Sequence, residues 1–282
     1  MSYVISAFAD EASPDLKEQI RICSVAGVGH IEMRGVNGKN ISDLSAGEAA
    51  EIKKQLAAAG IGVSAAGSPF GKIGIDDDFA PHLEKFKRTV EVSHILGTSL
   101  MRIFSFYIPG GEEPSRYKSA VVERLGELIG AADGIKLCHE NESDIFGESP
   151  ERCRELFDEF GGKLALVFDP ANFVYRGYDV ESAYELLEEG IEYFHIKDCV
   201  GANKKIVPAG RGDGKIGWIL GRFEKKNGDT FVSVEPHLKI FEGFAGLEKE
   251  AKRTFKDEFE YDTNEQAFVA AVTALKNILN PA

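Results

Sequence analysis

The chain has 282 residues, 43% of them hydrophobic and 28% charged, and its 46 acidic side chains outnumber its 33 basic ones to give a formal net charge of −13. That composition excludes a disordered chain, and the acidic excess leaves no basic stripe to grip phosphate backbones, so no nucleic-acid partner is expected. No apolar stretch approaches the roughly 18 residues that span a bilayer and no basic-plus-apolar leader opens the chain, which predicts a cytoplasmic protein with no membrane partner.

Short apolar runs and helical patterns alternate along the whole length. In chain order, strand Tyr3 to Phe8 precedes helix Pro14 to Val25, His30 to Met33 precedes Ala46 to Ala59, and Gly62 to Ala66 precedes Phe79 to Leu96. Leu100 to Phe104 is followed by Ser115 to Ala132, Ile135 to His139 by Ser149 to Phe160, and Leu164 to Phe168 by Val180 to Glu188. Tyr193 to Ile196 leads into a short irregular helix near Trp218 to Lys225, and Thr230 to Val234 into Glu265 to Ile278. Continuous apolar runs bounded by turn residues and separated by helices are the mark of buried parallel strands. Eight such units predict an α/β fold, a single (β/α)8 TIM barrel over residues 1–282, with its chemistry at the C-terminal strand ends. Cys23, Cys138, Cys153 and Cys199 lack CxxC or finger spacing and read as reduced small hydrophobes.

Four good ligands for a divalent cation stand at the ends of the last four runs: Glu140, Asp169, His195 and Glu235. Parallel strands deliver all four to one rim, where three carboxylates and an imidazole suit a single Mn, Co, Mg or Zn ion. Taken singly, each acid could equally be a helix cap or loop residue and His195 a core histidine; the joint pattern favours a site. Glu142 shares the facing of Glu140 and rivals it as first ligand, although Glu140 comes straight off the apolar run. Arg34, Ser68, Arg102, Glu142, Asn172, Lys197, Arg211 and His237 are the candidate substrate-binding residues, with Glu11, Glu32, Lys72 and Ser105 also near strand ends. Phe70, Phe104, Phe106 and Trp218 are candidates for the apolar face of a sugar, and the Gly-rich segment 208–214 reads as a mobile loop over the site, not a P-loop.

The segments SAFADE, IEMRGVNGKN, GSPFGK, MRIFSFY, CHENESDIFGESPERC, FDPANF, FHIKD, PAGRGDG and VEPHL together resemble the xylose isomerase-like TIM-barrel superfamily, in particular its sugar phosphate isomerase/epimerase branch. The resemblance implies one divalent ion held by Glu140, Asp169, His195 and Glu235 and a small-molecule sugar as partner. Asn172 departs from it, standing where epimerase and endonuclease members carry a His, and an amide is a poor zinc ligand. The chemistry expected is isomerisation or epimerisation of an α-hydroxy ketone through an enediolate, with Glu140 and Glu235 as catalytic acid and base. An inosose-type dehydratase on the same site is the alternative, and an AP-endonuclease-type nuclease is disfavoured by the charge and by Asn172. Homo-oligomerisation is left open.

Overall fold

The computed structural model describes residues 3–223, 229–240 and 259–281. Eight strands close into a ring: β1 Tyr3–Ala7, β2 His30–Met33, β3 Gly62–Gly67, β4 Leu100–Ile103, β5 Lys136–Glu140, β6 Leu164–Phe168, β7 Ile191–Ile196 and β8 Thr230–Val234. Every neighbouring pair is parallel, and β8 closes on β1 with Tyr3 opposite Thr230 and Ala7 opposite Val234. Outside the ring lie α1 Leu16–Ala26, α2 Ala46–Ala58, α3 Ala80–Leu96, α4 Lys118–Gly130, α5 Pro150–Glu159, α6 Pro170–Arg176, α7 Val180–Leu187, α8 Ile216–Arg222 and α9 Asn264–Leu279. None of the described helices is long and apolar enough to cross a membrane.

Local chemistry sets the boundaries. Ser45 and Glu48 form a reciprocal capping box at the start of α2, Asp15 and Ser149 cap α1 and α5, and Gly27 and Gly97 end α1 and α3 in the left-handed region. The predicted strands differ from these by a residue at several ends. The important shift is at β5, which starts at Lys136 and carries Glu140 inside the ladder opposite Val167. Helix α8 begins at Ile216 and ends at Arg222; the tail predicted to reach Lys225 lies outside the described residues. Helix α6 had no counterpart in the periodicity, since its seven residues are too few to show one, although the Asp169-Pro170 pair is a cap followed by a first-turn proline. Two antiparallel hairpins, Gly35–Val36 with Lys39–Asn40 and Asp198–Val200 with Lys205–Val207, fold the loops after β2 and β7.

The core has two parts. Ala65, Leu100, Cys138, Ala165, Val167 and Tyr193 fill the barrel interior, while a larger apolar layer lies between sheet and helices. All four cysteines are buried, and none is in a disulfide among the described residues. Gly71 makes the tightest backbone approach: its φ is +88° and a Cβ there would overlap the Phe104 carbonyl. Gly71→Ala is therefore expected to destabilise the protein by about 3 kcal/mol or more, seen as a lower denaturant midpoint with unchanged slope.

Candidate metal centre

Strand alternation builds the site. Inward positions that are apolar low in the barrel become polar toward its C-terminal rim, so Leu100 gives way to Arg102, Cys138 to Glu140, Val167 to Asp169 and Tyr193 to His195. The ligand atoms of Glu140, Asp169, His195 and Glu235 all lie within 4.8 Å of one another, and all four residues are buried. Of the two rivals it is Glu140 that joins this cluster; Glu142 is paired with Lys72 at 3.1 Å. Asp169 does two things at once. One oxygen caps α6 by accepting from the Asn172 amide at 3.1 Å, and the other, Oδ2, points at the cluster without an aligned hydrogen bond, 3.1 Å from Lys197 Nζ.

Each ligand is braced by a second residue. His195 Nδ1 lies 2.9 Å from Glu140 Oε1, and Nε2 faces Glu32 at 3.1 and 3.2 Å, a carboxylate that also accepts from the Tyr193 hydroxyl at 2.9 Å. A carboxylate behind one ring nitrogen fixes the tautomer that presents the other, so Nδ1 is the nitrogen offered to the cluster. Arg102 reaches the second oxygen of Glu140 at 3.1 Å, and Glu235 is held between Arg34 at 2.9 Å and Lys197 at 3.0 Å. Arg34 is itself clamped by Asp10 at 2.8 and 3.0 Å and by Glu11 at 3.0 Å. Asn172 donates to the Asn141 carbonyl at 2.9 Å and stands 3.5 Å from Glu140, so it supports the glutamate instead of offering a ligand. His237, in the left-handed region at φ +44°, turns Nε2 to within 3.4 Å of Glu11 and 3.6 Å of Glu235.

Burial works against the charged form of each of these groups. It pushes Glu11 up to about 8 despite Arg34, and Asp169 up to about 6 despite Lys197. For His195, burial favours the neutral ring, but the Glu140 and Glu32 carboxylates outweigh it and raise the imidazole to about 10. Burial likewise works against ionised Glu235, and Lys197, His237, His195 and Arg34 overcome it and hold that carboxyl well below its usual range.

These residues fit a divalent ion on two counts. Four convergent donors include the unaligned Asp169 Oδ2. With Glu11 protonated, five carboxylates (Asp10, Glu32, Glu140, Asp169, Glu235) face three permanent cations (Arg34, Arg102, Lys197), a deficit that one dication closes once His195 is neutral.

Other expected site residues make the following contacts. Arg211 is exposed to solvent. The Ser68 hydroxyl donates to the Arg102 carbonyl at 2.5 Å and positions that strand end. Trp218 packs edge-on against Tyr184 on the helical layer, and Phe70 packs on Phe86 and Phe106 on Phe79; only Phe104 of the four expected aromatics lines the open cavity beside the site. Phe8, not among the expected site aromatics, also meets the cluster: its ring is 5.0 Å from His195, with Tyr193 at 5.6 Å from the same imidazole, and the Arg34 guanidinium lies over Phe8 at 4.4 Å.

The 208–214 loop is pinned, contrary to its reading as mobile. The buried Asp198 carboxylate accepts from the amides of Cys199, Gly210, Gly212 and Gly214 at 2.8–3.0 Å, and a Cβ at Gly212 would overlap one of its oxygens. Asp198→Ala should cost about 3 kcal/mol or more and speed amide exchange at Gly210, Gly212 and Gly214. Unchanged protection there would show that the carboxylate does not hold the loop.

A closed parallel barrel with a buried carboxylate–imidazole cluster at its C-terminal rim defines the class of protein. The chain belongs to the xylose isomerase-like TIM barrel family, whose pattern matches residues 20–260. No curated protein matches it. Among solved structures it is similar to the IOLI protein with a bound zinc atom (TM-score 0.73, 19% identity, covering 98% of this chain and 97% of that one). It is also similar to D-psicose 3-epimerase from Clostridium cellulolyticum H10 with D-tagatose (0.73, 14%, 98% of each chain). A third is the probable 3-DHS dehydratase AsbF from Bacillus anthracis (0.70, 14%, all of both chains).

Proposed function

We propose that the protein is a divalent-metal-dependent sugar isomerase or epimerase acting on an α-hydroxy ketone. The observation that carries this is the pairing of Glu140 and Glu235, on β5 and β8, each converging on one centre with one oxygen while an arginine grips the other. Glu140, Asp169, His195 and Glu235 would hold the ion, which when bound polarises the substrate carbonyl and acidifies the adjacent C–H. Glu235 is the base: it is ionised, and Arg34 and Lys197 fix its position. It takes the proton from the carbon beside the carbonyl, leaving an enediolate. Glu140, protonated from solvent, delivers that proton to the opposite face for epimerisation, or to the neighbouring carbon for isomerisation, and Glu235 releases its own proton to solvent. Lys197 and His237 lie beside Glu235 and are placed to donate to substrate oxygens, and the phenyl ring of Phe8 keeps the floor of the site dry. Arg34, Arg102 and Asn172 act by positioning the carboxylates.

A cytoplasmic location and the absence of nucleic-acid partners belong to this reading, on the strength of composition and charge. The D-tagatose-bound epimerase and the zinc-bound IOLI protein support it as fold relatives. The dehydratase alternative would use the same base and expel a hydroxyl. Metal analysis of the purified protein, then a screen over ketoses, ketose phosphates and inososes in heavy water, tests the proposal. Solvent deuterium in an isomeric product is expected; a product lighter by one water establishes the dehydratase, and full activity after complete metal removal refutes both.

A further inference from the structure

A cavity of roughly 460 Å³ opens over the ends of β2, β3 and β4, beside the cluster. Five of its lining residues are cationic, Arg34, Lys39, Lys72, Lys85 and Arg102, and only Asp10 and Asp43 are acidic. In a chain with a net charge of −13, this is a local reversal of sign. Arg102 supplies the more specific observation. It is 3% exposed, it gives one terminal nitrogen to Glu140, and its Nε donates to nothing among the described residues. A buried donor left without an acceptor costs stability unless a ligand supplies one. The neighbouring NH2 makes only a long contact, 3.4 Å to the Ser68 carbonyl, so the Nε–NH2 edge is the paired edge that grips two oxygens of an oxyanion. Lys72 sits over the Phe104 ring at 4.4 Å and pairs with Glu142 at 3.1 Å, so its charge is shared between that carboxylate and the cavity. Lys85 and Lys39 pair with Asp43 and Glu48 in half-exposed contacts, which are weak enough to yield to a ligand.

We propose that this cavity is a subsite for an oxyanion group, a phosphate monoester or a carboxylate, on the end of the substrate remote from the reacting carbon. The assignment of that ligand as substrate rests on the isomerase/epimerase reading; the subsite itself does not. Arg34 and Arg102 border both spaces, contacting Glu235 and Glu140 from the cavity side, so a molecule anchored here extends to the two carboxylates.

The test is calorimetric titration of the intact protein in EDTA with inorganic phosphate and, separately, with acetate. At least one is expected to bind, about tenfold more weakly in Lys72→Met and in a Lys85→Met variant. Tighter binding of phosphate assigns a phosphate-bearing substrate, and tighter binding of acetate a carboxylate-bearing one. Asp169→Asn, outside the cavity, should leave the affinity unchanged. Binding of neither anion, or equal binding by both lysine variants and the parent, overturns the subsite while leaving the proton-transfer reading to its own deuterium test. Intact anion binding without turnover on any ketose would do the reverse.

Discussion

Glu235→Gln and Glu140→Gln are each expected to lower turnover by about 10²-fold or more, with smaller effects on substrate affinity, because each keeps an oxygen but loses the ability to move a proton. Their structural side effects should differ. Arg34 loses Glu235 but keeps its pair with Asp10, so the guanidinium in Glu235→Gln stays charge-paired. Arg102 loses the only ion-pair contact it makes among the described residues, and Glu140→Gln should be the less stable variant. Turnover is therefore compared at saturating metal, with circular dichroism to establish folding. In heavy water the parent should place deuterium on the carbon that is inverted or isomerised. Product formed at the parental rate by both variants would remove the acid/base roles. Product without deuterium from the parent points to a direct hydride shift or a proton shielded from solvent, and in the hydride case the carboxylates act as ligands and electrostatic supports alone.

Removing His195 should weaken metal binding by more than about 100-fold, since loss of even an outer partner of a ligating histidine typically costs 10- to 100-fold. Glu32→Gln should fall in that smaller range, because it disturbs only the nitrogen facing away from the cluster. If His195→Ala and Asp169→Ala both keep full metal affinity, the cluster is not the site. A pH dependence follows as well. In the metal-free protein the His195 pKa lies at about 10, above its ordinary 6.5, so its ion pairs contribute stability in full below about 6.5 and lose it as the pH rises through about 10. A metal must displace that proton, so affinity should climb with pH over the same window. Glu11 and Asp169, both raised by burial, also make ionisation costly as pH rises. The His195 share is isolated by comparing EDTA-treated parent with His195→Gln in melts across that window: the parent should lose more. Equal slopes would show that the imidazole is neutral in the fold.

Much of this site was legible before folding because of two periodicities. Apolar runs bounded by turn residues mark buried parallel strands, and parallel strands put every C-terminal end on one rim, so Glu140, Asp169, His195 and Glu235 were convergent on sequence grounds. The choice between Glu140 and Glu142 was not, because both have the same strand parity; it turned on β5 running one residue further than its apolar stretch, which carries Glu140 into the ladder. Asp198 and Asp10 were missed for a different reason. Their partners are backbone amides 12 to 16 residues away and a guanidinium 24 residues away, separations that carry no local signal.

Sequence alone therefore determined the barrel, the rim and the kinds of donor available there, since these depend on hydrophobic period, strand direction and side-chain chemistry. Only the tertiary structure decided the pairings. Arg34 braces Glu235 across 201 residues and Glu32 orients His195 across 163, Ser68 spends its hydroxyl on a carbonyl, and Arg211 points to solvent. Such contacts arise when closing the ring brings β1 and β2 against β7 and β8, and a charged side chain buried there takes whichever partner closure places within reach.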